Sequence, residues 1–344
     1  MSDIVNRQWR LVARPAGMVQ ASDFEYREEP VPAVGEGDYL VRTLYVSVDP
    51  AQRGWMNEDP GYMPPIPLGE VMRGGTLSQV VESRHPDYAP GDIVSGFFGW
   101  QEYALGRTGA LGAQTITPEY PLPRYLGVLG VTGLTAYVGM LDVGQATEGQ
   151  TVLVSGAAGA TGSVAAQIAK IKGCRVIGIA GGGEKCAWLT DELGLDAAID
   201  YKGEQVGERL SALCPDGVDV YFDNVGGSIL ESAIAHMASG GRIACCGMIA
   251  GYNAAVPEPG PNNLFLLIAR RITMTGFLVM DFGPRFGDAR RDLSAWLADG
   301  RLQAREDVQE GFENIPATFL RLFSGRNLGK QVLKVAEPSG LGPR

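Results

Sequence analysis

The stretch SGAAGATGSVAAQIAK, Ser155–Lys170, decides how the chain is read. It follows a short apolar run, TVLVSG at Thr151–Gly156, and leads into a helix predicted from about Ala160 to Lys172. A strand, a glycine-rich turn and a helix in that order make a site for a pyrophosphate. Glycines let the backbone come close, and the helix N-terminus offers unpaired N–H donors and partial positive charge. Ala157, Gly159 and Gly162 hold the three positions of the G-x-G-x-x-G pattern, so its first glycine is an alanine. Alanine can make that turn if its φ is negative. Gly162 allows the helix to pack close to the sheet. A glycine-rich turn without a ligand is the alternative.

Around this turn, strand-like and helix-like runs alternate. CRVIGIAGG, AAID, VDVYFDNVGG, RIACCG and ITMTGFLV read as further strands. EKCAWLTDELG, EQVGERLSALC, SILESAIAHMASGG and NLFLLIARR read as the helices between them. Near-continuous apolar strands alternating with helices mean a parallel sheet covered on both faces. Six such strands are the number of a doubly wound dinucleotide-binding (Rossmann) domain, and the fold class is α/β. The first 125 residues differ. DYLVRTLYVSVDP, GGTLSQVVES, GDIVSGFFG and WQEYALG are short strands at close spacing, as in a small barrel or sandwich. The tail holds an amphipathic helix, RRDLSAWLADGRL, and a closing strand, GKQVLKV. The expected organisation is a β-rich domain over residues 1–125, a nucleotide domain over 126–283 inserted into it, and a return to the first domain over 284–344.

Composition limits the functions. The chain has 344 residues, 45% of them hydrophobic and 20% charged, which is an ordinary soluble balance. A formal charge of −10 argues against bulk binding to nucleic acid or anionic lipid. The uncharged apolar run Leu126–Leu141 is short for a membrane span of about 20 residues and reads as a buried helix. The opening MSDIVNRQWRLVARPAG is too polar for a signal sequence, and a cytoplasmic protein is expected. The five cysteines, Cys174, Cys186, Cys214, Cys245 and Cys246, form no C-x-x-C, and His85 and His236 are the two histidines. Zinc sites need close sets of such ligands, so no metal is expected. Cys245 and Cys246 read as inert thiols in an apolar strand.

The second strand refines the cofactor. NAD-binding domains carry an acid at the end of that strand, about 20 residues after the glycine turn, for the ribose 2′-OH. Gly181, Gly182 and Gly183 stand there instead. A carboxylate would repel a 2′-phosphate, so its absence favours NADP(H). Lys185 can supply the matching cation; an exposed lysine at a helix start is the alternative.

At this point the residues resemble a family. The chain looks like a zinc-independent medium-chain dehydrogenase/reductase of the prostaglandin reductase and bacterial curcumin reductase group. The resemblance rests on VSVDPAQRGWM, GDIVSGFFGWQEYA, LGVLGVTGLTAYVGMLDVGQATEGQTVLVSGAAGATGS, KGCRVIGIAGGGEKC, GVDVYFDNVGG, CCGMIAGYN and GRNLGKQVLKV. It implies a GroES-like β-rich catalytic domain around the Rossmann domain. It implies that Gly159, Ala160, Thr161 and Gly162 cradle the pyrophosphate. Lys185 and Tyr201 would meet the 2′-phosphate, and Asn224 the ribose. Cys246, Gly247, Met248 and Tyr252, with Phe277, Leu278 and Val279, would line the nicotinamide half, and Asn327 would reach in from the tail. The family often has DPYMR, MPG and GAVG where this chain has DPAQR, VTG and GATG; Ala51 and Gln52, in the first, bear on the substrate wall. Members are often dimers that join their sixth strands, and ITMTGFLV is apolar enough for that.

The chemistry expected is NADPH-dependent, metal-free reduction of the C=C bond of an enone or enal. Hydride goes to the β-carbon, and charge develops on the carbonyl oxygen, which a hydroxyl can stabilise. Tyr252, in the loop after the fifth strand, is the first candidate for that contact, and Tyr45 the second; either ring could simply pack. Trp55 and Met56 are candidate wall residues, and Tyr62 is a candidate lid residue. A quinone reductase and a non-catalytic NADPH-binding sensor are the competing functions.

Overall fold

The protein is described from a computed structural model over residues 4–107, 113–256 and 258–340. The chain divides into two units. The first comprises Met1–Leu126, Glu306–Arg326 and Gln331–Arg344, and the second Gly127–Arg305 and Asn327–Lys330.

The first unit is antiparallel. Its strands are β1 (Val5–Leu11), β2 (Phe24–Pro30), β3 (Asp38–Ser47), β4 (Thr76–Ser83), β5 (Ile93–Gly96), β6 (Tyr103–Arg107) and β7 (Gln114–Ile116), with a short helix α1 (Ala51–Trp55). β1 and β2 were not legible in the sequence, because VNRQWRL and FEYREEP lack a clean apolar alternation.

The second unit holds β8 (Thr151–Ser155), β9 (Arg175–Ala180), β10 (Ala197–Asp200), β11 (Val218–Asp223), β12 (Met237–Cys245) and β13 (Thr273–Gly276). Its helices are α2 (Val131–Val138), α3 (Ala160–Ile171), α4 (Gly183–Ala187), α5 (Val206–Leu213), α6 (Gly227–Ala235), α7 (Phe265–Ala269) and α8 (Phe286–Ala298). All pairs in its six-stranded sheet are parallel, in the order β10-β9-β8-β11-β12-β13. That is the doubly wound order, with its switch point between β8 and β11. The core runs from Leu153, Ile177 and Ile179 on the strands to Leu210, Leu230 and Ile234 on the helices. The chain then returns to the first unit through β14 (Glu306–Glu310), α9 (Ile315–Phe323) and β15 (Lys330–Lys334). Helix α9 buries Ile315, Phe319 and Leu322 against Leu11, Phe24 and Trp100. Among the described residues, no helix is long and apolar enough to cross a membrane.

Two boundaries differ from the sequence reading. Residues 284–305, expected with the first domain, pack in the second unit. The Tyr137 hydroxyl donates to Asp292 at 2.6 Å, and Arg285 donates to Asp142 at 3.0 Å. Leu293 and Trp296 of α8 are buried as its amphipathic pattern requires. The run SILESAIAHMASGG is also not one helix. His236 closes α6, and MASGG opens β12.

The loop after β9 is held from β10. Asp200 Oδ1 accepts the N–H of Gly182 at 2.7 Å and that of Lys202 at 3.0 Å. Gly182 has φ +102°, which a side chain would strain. The Gly182 and Lys202 N–H groups hold the Asp200 carboxyl below its ordinary value. A depressed folded-state value means the stabilisation is complete above the unfolded value of about 3.9 and is lost as pH falls through the lower folded one. Asp200→Asn is therefore expected to lower stability by at most about 1 kcal/mol at neutral pH, the size of a solvent-screened contact. In urea titrations the difference from the parent should close below about pH 4; a difference independent of pH would show that the charge contributes nothing.

Candidate active site

The glycine turn departs from its fingerprint in an informative way. Gly156, one residue earlier, takes the left-handed conformation with φ +57°. Ala157 is fully buried, and its N–H donates to Ile179 O at 3.0 Å. A Cβ on Gly162 would lie 2.3 Å from the Gly156 carbonyl oxygen, and one on Gly159 would lie 3.2 Å from it. Glycine is thus demanded where α3 starts against the turn. The first N–H groups of α3, at Ala160, Thr161 and Gly162, lack intrahelical acceptors, as at any helix start.

The tail segment 327–330 docks on this turn. Gly329 N–H donates to Ala158 O at 2.8 Å, and Gly329 pairs with Gly159 in a parallel bridge. Asn327 Nδ2 donates to Gly329 O at 3.3 Å, which sets Asn327 beside the glycine loop.

At the end of β9, Gly181 lies under the ring of Tyr201. A Cβ there would be 2.8 Å from the ring. Tyr201 is 46% exposed. Lys185 lies in α4, directly after this glycine run.

At the end of β11, Asn224 donates through Nδ2 to Ser155 O at 2.7 Å, and its N–H donates to Ser155 Oγ at 2.9 Å. Next to it, beyond β12, a cavity of about 440 Å³ is lined by Cys245, Cys246, Gly247, Met248, Tyr252, Gly276, Phe277, Leu278 and Asp281. Six of these are the expected nicotinamide residues; Val279 is not among them. Tyr252 Oη accepts the N–H of Met248 at 3.3 Å. Phe277 packs edge-on to Phe222 at 6.3 Å, and a Cβ on Gly139 would be 2.4 Å from the Phe277 ring. Burial, with the Asp223 charge next, pushes the Cys245 thiol up to about 11 and the Cys246 thiol to about 12. The two cysteines are therefore inert at neutral pH, although they also line the cavity.

All the expected cofactor residues fall in the second unit, and Tyr45 falls in the first. Tyr45 is buried in a cluster with Leu44, Leu77, Leu126 and Val332, and burial raises its phenol. Met56 is fully buried in the core of that unit and forms no wall, whereas Trp55 Nε1 donates to the exposed Tyr62 hydroxyl at 2.6 Å. Sequence reasoning missed Gly156, Asp200, Asp223 and Ser155. A run of DN after an apolar strand was the only trace of the third.

Comparison with known proteins identifies the family. Residues 7–113 match the family described as the N-terminal domain of oxidoreductase, and residues 160–298 match that described as zinc-binding dehydrogenase. The second description implies a metal that the donors here do not fit. Among the described residues, no three His, Cys, Asp or Glu side chains converge. His85 is packed edge-on to Tyr39 and Tyr88. His236 donates from Nδ1 to Ser232 O at 2.8 Å, and its Nε2 is hydrogen-bonded with the Ser211 hydroxyl at 2.9 Å. The NADPH-dependent curcumin reductase of Escherichia coli is 43% identical over 336 residues, covering 96% of this chain and 97% of that one. Prostaglandin reductase 1 of Bos taurus is 40% identical, covering 95% and 98%. The crystal structure of CurA from Vibrio vulnificus in complex with NADPH superposes with a TM-score of 0.92 at 41% identity, covering 96% of this chain and 100% of that one. The chain belongs to the medium-chain dehydrogenase/reductase family, in the zinc-independent branch of the curcumin, prostaglandin and alkenal reductases.

Proposed function

We propose that the protein reduces the C=C bond of α,β-unsaturated ketones and aldehydes with NADPH. The observation that carries this is the Tyr252 hydroxyl, which lines the cavity beyond β12 and accepts the Met248 N–H. An O–H whose oxygen accepts a hydrogen bond is a stronger donor in turn.

NADPH, when bound, supplies the hydride. The Gly156 turn and the start of α3 hold the pyrophosphate, because only glycine at 156 and 162 lets the backbone close up. Lys185 and the exposed Tyr201 meet the 2′-phosphate beside the acid-free glycine run. Asn224, fixed by Ser155, meets the ribose. Phe277, packed against Phe222, lines the nicotinamide half, and Tyr252 donates to the substrate carbonyl oxygen as negative charge grows there. The α-carbon takes its proton from water or a hydroxyl. We assign the carbonyl contact to Tyr252 rather than Tyr45, whose ring is packed in an apolar cluster. Free cysteines throughout the described residues suit a reducing compartment such as the cytoplasm.

We also propose that the protein is a homodimer. Every residue of the edge strand β13 is exposed, Met274 among them, and Leu278 and Met280 add apolar surface beside it. Such an edge pairs with a second copy.

Tyr252→Phe should lower kcat on an enone by about tenfold to a hundredfold, toward the loss seen when one oxyanion donor is removed. Its NADPH affinity should be unchanged, and full turnover would remove the hydroxyl from the mechanism. Lys185→Ala should weaken NADPH binding by about tenfold, the scale of one charge-assisted contact, and leave NADH binding as it was. Fluorescence titration with both cofactors reads this, and an unaltered preference excludes Lys185. Sedimentation equilibrium should return twice the chain mass; a single-chain mass would contradict the edge pairing.

A further inference from the structure

One turn in the second unit bears on both halves of the cofactor site. Asp223 ends β11 with 1% of its surface exposed. Its Oδ1 accepts the Tyr221 hydroxyl at 2.6 Å, the Ser155 hydroxyl at 2.8 Å, and the N–H groups of Val225 and Gly226 at 3.0 Å each. Two of these donors are side chains that tie β8 and β11 to the carboxylate. The other two fold the chain after β11 into a tight turn, in the manner of an aspartate bonded to its own downstream backbone. Four donors on one oxygen suit a carboxylate far better than an amide, because each partial positive charge meets a formal negative one.

The clamped turn presents three successive carbonyls to a single loop. Asp223 O accepts the N–H groups of Cys246 at 2.8 Å and Gly247 at 3.0 Å, Asn224 O accepts that of Ile249 at 3.3 Å, and Val225 O accepts that of Ala250 at 3.1 Å. These bonds set the course of the chain from Cys246 to Tyr252. On the other side, the Ser155 hydroxyl that donates to Asp223 belongs to the residue just before Gly156, where the glycine turn begins. The direction of the three carbonyls is fixed only while the turn is closed, and the carboxylate closes it.

We propose that Asp223 is the positioning residue of the site, whose side chain aligns the glycine turn with the loop that carries Tyr252. It acts through Ser155 and through the backbone of 246–250, and it needs no contact with the substrate. The consequence for catalysis rests on the NADPH-dependent function proposed above; the holding of the two loops does not.

The test compares Asp223→Asn with Leu210→Ala in the full chain. Leu210 is fully buried in α5, in the same core, and provides a loss of stability unrelated to the turn. Asp223→Asn is expected to raise the NADPH dissociation constant at least about tenfold, equivalent to about 1.4 kcal/mol. It should also slow single-turnover hydride transfer and speed hydrogen exchange at the amides of 246–250. Leu210→Ala should leave the dissociation constant within about twofold and the exchange of those amides as in the parent. If Asp223→Asn does not melt cooperatively, Tyr221→Phe removes one donor and is read by the same measurements, with smaller changes in the same direction. Parental affinity and amide protection in the Asp223 or Tyr221 variant would overturn the proposal, and so would equal losses in Leu210→Ala. A parent that binds no NADPH would refute the function proposed above, and the exchange of the 246–250 amides would still decide the role of Asp223.

Discussion

Four hydrogen-bond donors meet on one buried oxygen, Asp223 Oδ1, at the carboxyl end of the central strands. The place matters as much as the number. Ser155 ends β8 and Asp223 ends β11, and these two strands flank the point where the strand order reverses. Helices leave the sheet in opposite senses there, so a crevice opens that open α/β sheets use for ligands. β8 and β11 pair as far as Val154 and Phe222. One residue further on, the Ser155–Asp223 hydrogen bond continues the connection, and Asn224 doubles it through the Ser155 carbonyl.

The site depends next on where side chains are missing. Gly156 and Gly162 let the start of α3 close on the turn, and Gly329 allows the tail to come within bonding distance of it, where a Cβ would lie 2.2 Å from Arg305 O. Gly181 leaves room for the Tyr201 ring. Charge follows the same geometry. The second strand ends without an acid, and the nearby acid on β10 spends Oδ1 on backbone donors. The thiols that line the cavity are held protonated by burial.

The sheet was legible in the sequence because its signal is local. Six apolar runs separated by helical runs can be counted, and parallel pairing follows from the connections. The glycine turn, the acid-free end of β9 and the loop bearing Tyr252 were legible for the same reason. The parts that were not legible depend on partners distant in sequence. Ser155 and Asp223 are 68 residues apart, and the Asp200 bond to Gly182 spans 18. Helix α8 shows its amphipathic face in the sequence, but nothing there says which unit it packs on; its partners Asp142 and Tyr137 lie more than a hundred residues upstream. The left-handed residue at Gly156 rather than at the fingerprint position is a backbone choice that composition leaves open.

In the proposed reaction hydride reaches the β-carbon of an enone, with the carbonyl held by a hydroxyl and no metal. Incubation with NADPH carrying deuterium at the transferable position of its nicotinamide, followed by mass and proton spectra of the product, locates the transferred atom. A saturated ketone or aldehyde with deuterium on the former β-carbon and the carbonyl intact is expected. An allylic alcohol labelled at the carbonyl carbon, or consumption of NADPH with quinones alone, would refute the proposed reaction.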